Sequence, residues 1–197
     1  LFRLYCYMDS SKHKVLSGYI KDDPKDLFLR LYTDADFSGD SSHTRSTSGG
    51  FMALQGPNSF FPIMWLCKRQ TATSRSTTEA EMISMAASLF SEGLPTLQLM
   101  ETLLGRKVHL VIEQDNQATI LVARAGYSQK LRHVSRTHKV DLGSIKEVLD
   151  RDSVELRYIV SAQQAADVFT KAVVPAKWEH ALELLNIHDF ELSTGDR

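Results

Sequence analysis

Cysteine is almost missing from this sequence. Its 197 residues hold only Cys6 and Cys67, in no CxxC or Cys/His spacing, so neither a disulfide scaffold nor a zinc finger is expected and a reducing compartment suits the chain. Seven histidines are present, but none are paired at the HxxxH or HxxH spacing that zinc favours. No GxSxG elbow offers a serine nucleophile. No apolar run reaches the roughly 18 residues a membrane helix needs, and no signal-peptide pattern opens the chain. Repeats and low-complexity tracts are lacking too. A surplus of either charge is also missing: the formal net charge is -1. That excludes a basic coat for nucleic acid, so any such contact must come from local patches. The first residue is Leu1 rather than Met, which reads as a fragment of something longer.

The most telling absences are local. No acid lies between Asp40 and Glu79, and none between Asp115 and Asp141. What is there fills the gaps with hydroxyl and basic side chains. Lys68, Arg69 and Arg75 stand among Thr71, Thr73, Ser74, Ser76, Thr77 and Thr78. Arg124, Lys130, Arg132, His133, Arg136, His138 and Lys139 occupy the second gap. Such groups are the usual partners of a phosphate backbone; a solvated loop is the plainer reading. With 43% hydrophobic and 24% charged residues, the chain is too apolar for disorder and long enough for one good core.

Hydrophobic periodicity orders the elements. Residues 29–34 alternate as a strand ending at acids, 51–54 and 60–67 read as further strands, and the Ser/Gly/Thr-rich stretch 38–50 reads as a loop. Met82, Met85, Ala86, Leu89 and Phe90 recur at helical spacing from a start near Ser76. Pro95 opens a second helix that ends at Gly105. A buried strand at 108–112, helices at 116–123 and 140–149, and a strand at 154–160 follow. Ser161 and Gln164 form a capping box for a helix carrying Asp167. A terminal helix spans 176–187, with Trp178 and Trp65 expected in the core or beneath it. The resulting order, β-β-β-α-(α)-β-α-α-β-α, predicts an α/β fold with a mixed five-stranded sheet, three antiparallel strands then two parallel, flanked by helices.

Four acids sit where such a sheet presents functional groups, near strand carboxyl ends and helix starts: Asp34, Glu81, Asp115 and Asp167. Converging carboxylates suit hard cations such as Mg²⁺, and a metal pair about 3.5–4 Å apart can hydrolyse a phosphodiester. Glu79 already has work, because Ser76-Thr77-Thr78-Glu79 is a capping box, so Glu81 is the better ligand. Asp115 serves equally well as a ligand or as the N-cap of the next helix. Asp36 and Glu113 are expected beside the site or in solvent.

Several ordered blocks resemble the ribonuclease H domain of copia-type LTR-retrotransposon polyproteins, over nearly the whole chain. They are residues 32–40 (YTDADFSGD), 45–49 (RSTSG, one residue short), Trp65 with Lys68-Arg69-Gln70 and 76–82 (STTEAEM), Asp115-Asn116-Gln117, 136–141 (RTHKVD) and 164–173 (QAADVFTKAV). The resemblance implies an endonuclease that cuts the RNA strand of RNA–DNA hybrids with two Mg²⁺ ions (Mn²⁺ able to substitute), held by Asp34, Glu81, Asp115 and Asp167. It implies hybrid contacts from Ser76, Asn116 and Gln117 beside the basic Lys68, Arg69, Arg75, Arg132, Arg136 and Lys139. It also implies domain limits: 1–28 as the tail of a reverse transcriptase that is the domain's partner, 29–173 as the nuclease, and 174–197 as a helical tail. The setting would be intracellular, in cytoplasm or a virus-like particle, with no membrane partner. Met82, the order His138-Lys139, and Ala172-Val173 depart from the family pattern without removing a ligand. No histidine lies in 160–164, so the proton-transfer role of the family's mobile histidine is unassigned. The alternatives are a catalytically silent nucleic-acid-binding module of the same fold and an integrase-like strand transferase.

Overall fold

A computed structural model describes residues 1–37 and 44–190. Helix α1 (Phe2–Ser10) and strand β1 (Lys14–Leu16) come first, then a 3₁₀ turn at Pro24–Asp26. Strands β2 (Phe28–Asp36), β3 (Thr47–Gly56) and β4 (Ser59–Arg69) follow. Of the loop expected over 38–50, residues 38–43, including Asp40, lie outside the described residues, and 47–50 already belong to β3. Helix α2 (Thr77–Ser88) runs through a π turn at Leu89–Gly93 directly into α3 (Leu94–Leu104), which stops at Gly105 with φ 63°. A left-handed residue ends a helix at least cost when it is glycine. Then come β5 (Leu110–Gln114), α4 (Gln117–Ala125), α5 (Val134–Thr137), α6 (Leu142–Leu149) and β6 (Val154–Tyr158). Two 3₁₀ turns, Ser161–Gln163 and Ala165–Phe169, lead to α7 (Pro175–Leu184) and β7 (Ile187–Asp189).

The main sheet has the order β4-β3-β2-β5-β6. Strands β2, β3 and β4 pair antiparallel, while β2–β5 and β5–β6 are parallel. That is the mixed five-stranded sheet expected from the residue pattern. Alternation along each strand divides the interior. Leu29, Leu31, Met52, Leu54, Leu110 and Ile112 join Met82, Met85, Leu89, Ile120 and Ile145 in the larger core. Tyr32, Phe51 and Ala53 pack on the other side with Ala165, Ala166 and Leu185. Parallel strands buried on both faces carry few polar residues, and β5 is buried along its length.

Three expectations need correction. No α-helix carries Asp167: the segment is a five-residue 3₁₀ turn. Ser161 does not cap it; the Gln164 side chain does, accepting from the Ala166 N–H while its own amide donates to the Thr33 carbonyl. The terminal helix ends three residues early, at Leu184, and Ile187–Asp189 pairs antiparallel with Lys14–Leu16 of the first segment as a two-stranded sheet. Tyr7 of α1 packs edge-on against Trp178 of α7, ring centres 5.8 Å apart. Trp65 is not in the core at all; on edge strand β4 it is 62% exposed.

Candidate active site

The adjacent parallel strands β2 and β5 both point their carboxyl ends at one spot. Asp34 sits near the end of β2 and is fully buried, while Asp115 follows β5 directly. Asn116 takes the N-cap of α4, accepting from the Thr119 N–H at 3.0 Å, so Asp115 is released from that duty. Its carboxylate instead accepts from Ser161 Oγ at 2.6 Å. Asp167 approaches on its 3₁₀ turn from the smaller core. One oxygen each of Asp34, Asp115 and Asp167 lie within 4.8 Å of one another.

Glu81 completes the group from α2. It lines an open cleft of about 410 Å³ together with Asp34, Asp36, Asp115, Asn116, Thr77 and Lys171. Burial, helped by Asp34 and Asp115, pushes its carboxyl from an ordinary 4.5 up to about 9. Burial and Asp34 likewise raise Asp167 from 3.8 to about 6, against the pull of Lys171. These shifts have one physical cause: carboxylates crowded in a poorly solvated place resist a full complement of negative charge. Gln114, fully buried, braces the group by donating to Thr33 Oγ1 and Glu81 Oε2 and accepting from the Asn116 N–H. Ser84 Oγ stitches α2 to the sheet beneath, donating to the carbonyls of Asp34 (2.6 Å) and Gly49 (3.1 Å).

Glu79 stands apart from the cleft. It is 1% exposed, and its Oε2 accepts from the N–H of Arg75, one residue before the expected Ser76, while Ser76 Oγ accepts from the Glu79 N–H. Its other oxygen meets His133 Nε2 at 3.1 Å and has His138 Nε2 at 3.3 Å, off the hydrogen-bonding direction. Glu79 therefore fastens the basic stretch around α5 to the start of α2. Glu113 is neither solvated nor at the cleft: it is buried and ion-paired with Arg30 at 3.4 Å.

The other sequence candidates scatter around this centre. Ser76 caps α2 and Gln117 is exposed at the first position of α4. Arg75, Arg132 and Arg136 are exposed. Lys68, Arg69 and Lys139 line a separate cleft of about 460 Å³ beside Ala86, Ala87 and Phe90. None of these basic residues lines the acidic cleft. Among the described residues the cation that does is Lys171, which sequence reasoning passed over although it follows Asp167 by four residues, one helical turn. Its Nζ lies 3.1 Å from Asp34 Oδ1 and 2.9 Å from Asp167 Oδ1, and the hydroxyl of Thr170 donates to Asp34 Oδ2. Burial works against the Lys171 charge, but Asp34 and Asp167 outweigh it and hold the ammonium above the ordinary lysine range. Thr170 can come this close because Gly49 has no side chain: a Cβ there would lie 2.4 Å from Thr170 Cγ2 and 3.0 Å from the Ala166 carbonyl.

The donor set fits a divalent metal. It is all carboxylate oxygen, as hard cations prefer, and its suppressed ionisation is what an added positive charge would relieve.

Sheet order and helix placement are those of the ribonuclease H fold. A ribonuclease H1 isolated from compost by a metagenomic approach superimposes with a TM-score of 0.50 at 12% identity, over 73% of this chain and 92% of its own. By sequence, the chain's homologues are retrovirus-related Pol polyproteins of plant transposons. It is 30% identical over 83% of its length to the polyprotein of transposon TNT 1-94 from Nicotiana tabacum, and 31% identical over 74% to that of transposon RE2 from Arabidopsis thaliana. The chain spans 12% and 10% of those two proteins. No family model matches it. Among the described residues, no helix is long and apolar enough to cross a membrane.

Proposed function

We propose that this chain is the ribonuclease H segment of a retrotransposon Pol polyprotein and that it cleaves the RNA strand of RNA–DNA hybrids. The observation that carries the reading is the meeting of Asp34, Asp115 and Asp167 within 4.8 Å, with Glu81 buried against two of them, at the ends of adjacent parallel strands. Asp34, Glu81, Asp115 and Asp167 would hold two divalent ions, Mg²⁺ or Mn²⁺, which when bound supply an activated water and charge stabilisation at the scissile phosphate.

The chain's own residues set up the rest. Ser161 and Gln114 hold Asp115 and Glu81 in place, and Thr170 orients Asp34. No histidine in 160–164 takes the proton-transfer role of the family's mobile histidine, which stays unassigned. The cleft is open, as a duplex requires. Thr77 and Asn116, lining it, and Ser76 and Gln117 at the two helix starts present hydroxyl and amide groups to a minor groove, where 2′-hydroxyls distinguish RNA. Arg75, Arg132 and Arg136, with Lys68 and Arg69 at the end of β4 and Lys139 after α5, contact backbone phosphates and set register rather than sequence. Residues 1–28 continue from a reverse transcriptase that is the domain's partner, residues 29–173 form the nuclease, and residues 174–197 the tail. On this reading the site works in the cytoplasm or a virus-like particle during reverse transcription.

The test is a hybrid labelled on its RNA strand, incubated with Mg²⁺ or with EDTA beside Asp34→Asn and Asp115→Asn. Metal-dependent cleavage lost by at least about a thousandfold in both variants is expected. A wild type that binds the hybrid but never cuts it would establish a silent binding module instead.

A further inference from the structure

Both oxygens of Asp34 are engaged from one dipeptide. Thr170 donates to Oδ2, and Lys171 Nζ lies 3.1 Å from Oδ1 while also reaching Asp167 at 2.9 Å. The two contacts differ in kind. Thr170 is wedged in the notch above Gly49, and its hydroxyl also donates to the Asp167 carbonyl at 3.1 Å. Its hold on Asp34 comes from the side and is fixed by packing. The Lys171 side chain is 39% exposed against 1% for Asp34, so its ammonium enters from solvent on a flexible four-carbon stem. It stands between two of the three aspartates whose oxygens converge.

We infer that Lys171 is a resident cation of the acid cluster, which a divalent ion must displace to bind. The inference rests on the metal-site reading above. Without an ion, the ammonium neutralises Asp34 and Asp167 and so keeps a crowded acid group compatible with a folded chain. For an ion to bind there, the ammonium would have to leave Asp34 and Asp167 and return to solvent, from which 39% of its side chain is already accessible. Metal affinity is therefore set by an exchange rather than by the carboxylates alone. The apparent dissociation constant is the intrinsic one divided by the fraction of molecules in which Lys171 has vacated the site.

The test uses the whole chain, titrated calorimetrically with Mn²⁺ at pH 7 as wild type, Lys171→Met, Lys171→Arg and Asp115→Asn, and melted in EDTA. Lys171→Met is expected to bind Mn²⁺ at least about tenfold more tightly than wild type, because breaking two charge-assisted contacts no longer opposes entry. Lys171→Arg keeps the charge and stays near wild type. In EDTA, Lys171→Met is expected to melt several degrees lower, since the aspartates lose their counter-charge. Unchanged or weaker Mn²⁺ binding by Lys171→Met, or an unchanged or higher melting temperature in EDTA, overturns the resident-cation role while leaving the metal site standing. If wild type binds no Mn²⁺, or Asp115→Asn binds it as wild type does, the metal-site reading fails and this inference with it.

Discussion

Replacing Glu81 by glutamine should stabilise the metal-free protein, and more so the higher the pH. In the fold Glu81 holds its proton up to about 9, against an ordinary 4.5. Between those values the folded chain keeps a proton that the unfolded chain has lost, so the unfolded state binds fewer protons and each rise in pH favours unfolding. The loss is ~1.4 kcal/mol per pH unit, a ceiling of ~6 kcal/mol across the whole window. Local relaxation and water entry trim such penalties, and Gln114, 3.4 Å from Glu81 Oε2, supplies one donor to the charged form. From pH 7 to 9 Asp167, with its value near 6, adds little to the slope because it has already largely ionised. We expect wild type in EDTA to lose ~1–2 kcal/mol over that interval. Glu81→Gln should lose almost none. Urea denaturation at pH 7, 8 and 9, with the slope against urea checked for constancy, measures both. A flat wild-type profile, or the same decline in Glu81→Gln, would refute the claim that burial and neighbouring acids suppress this charge.

Two further substitutions probe the frame around the acids. Gly49→Ala places a Cβ 2.4 Å from Thr170 Cγ2 and 3.0 Å from a backbone carbonyl, so it should cost ~1–3 kcal/mol by overpacking and weaken Mn²⁺ binding by shifting the Asp34 contact; wild-type values by urea denaturation and calorimetry would contradict this. Glu79→Ala strips the partner from the Arg75 N–H and His133 in a buried place, for an expected ~2–4 kcal/mol, seen as a lower urea midpoint. Glu79→Gln can still accept from the Arg75 N–H and should cost less.

The main sheet was legible because its signals are local. Leu29, Leu31 and Thr33 alternate, and the helical spacing of Met82, Met85, Ala86 and Leu89 admits no strand. Asp115 could not be settled from sequence, since either it or Asn116 can cap α4; the structure gives the cap to Asn116. The Ser161–Gln164 spacing suggested a capping box, but Ser161 turns to a carboxylate 46 residues earlier in the chain, a tertiary preference that no local pattern encodes. Trp65 was misplaced because hydrophobicity alone does not say whether an edge strand has a cover. Lys171 was overlooked for a related reason: search for carboxylate ligands attends to negative charge, and a lysine one turn after an aspartate looks like an ordinary surface pair.

The small sheet between β1 and β7 joins the two flanks of the chain, with Lys14 opposite Asp189 and the Lys14 ammonium 2.9 Å from the Asp189 carboxylate. As the chain emerges from the ribosome, residues 14–16 must wait unpaired until 187–189 have been made, because no other strand among the described residues pairs with them. Contacts this distant in sequence are slow to form, so the central sheet has time to assemble first. A protease cutting in the span between Phe169 and Ile187 would leave the first twenty residues joined to the central sheet through the chain itself, and the short β1–β7 pair would then become a clasp on the severed C-terminal segment.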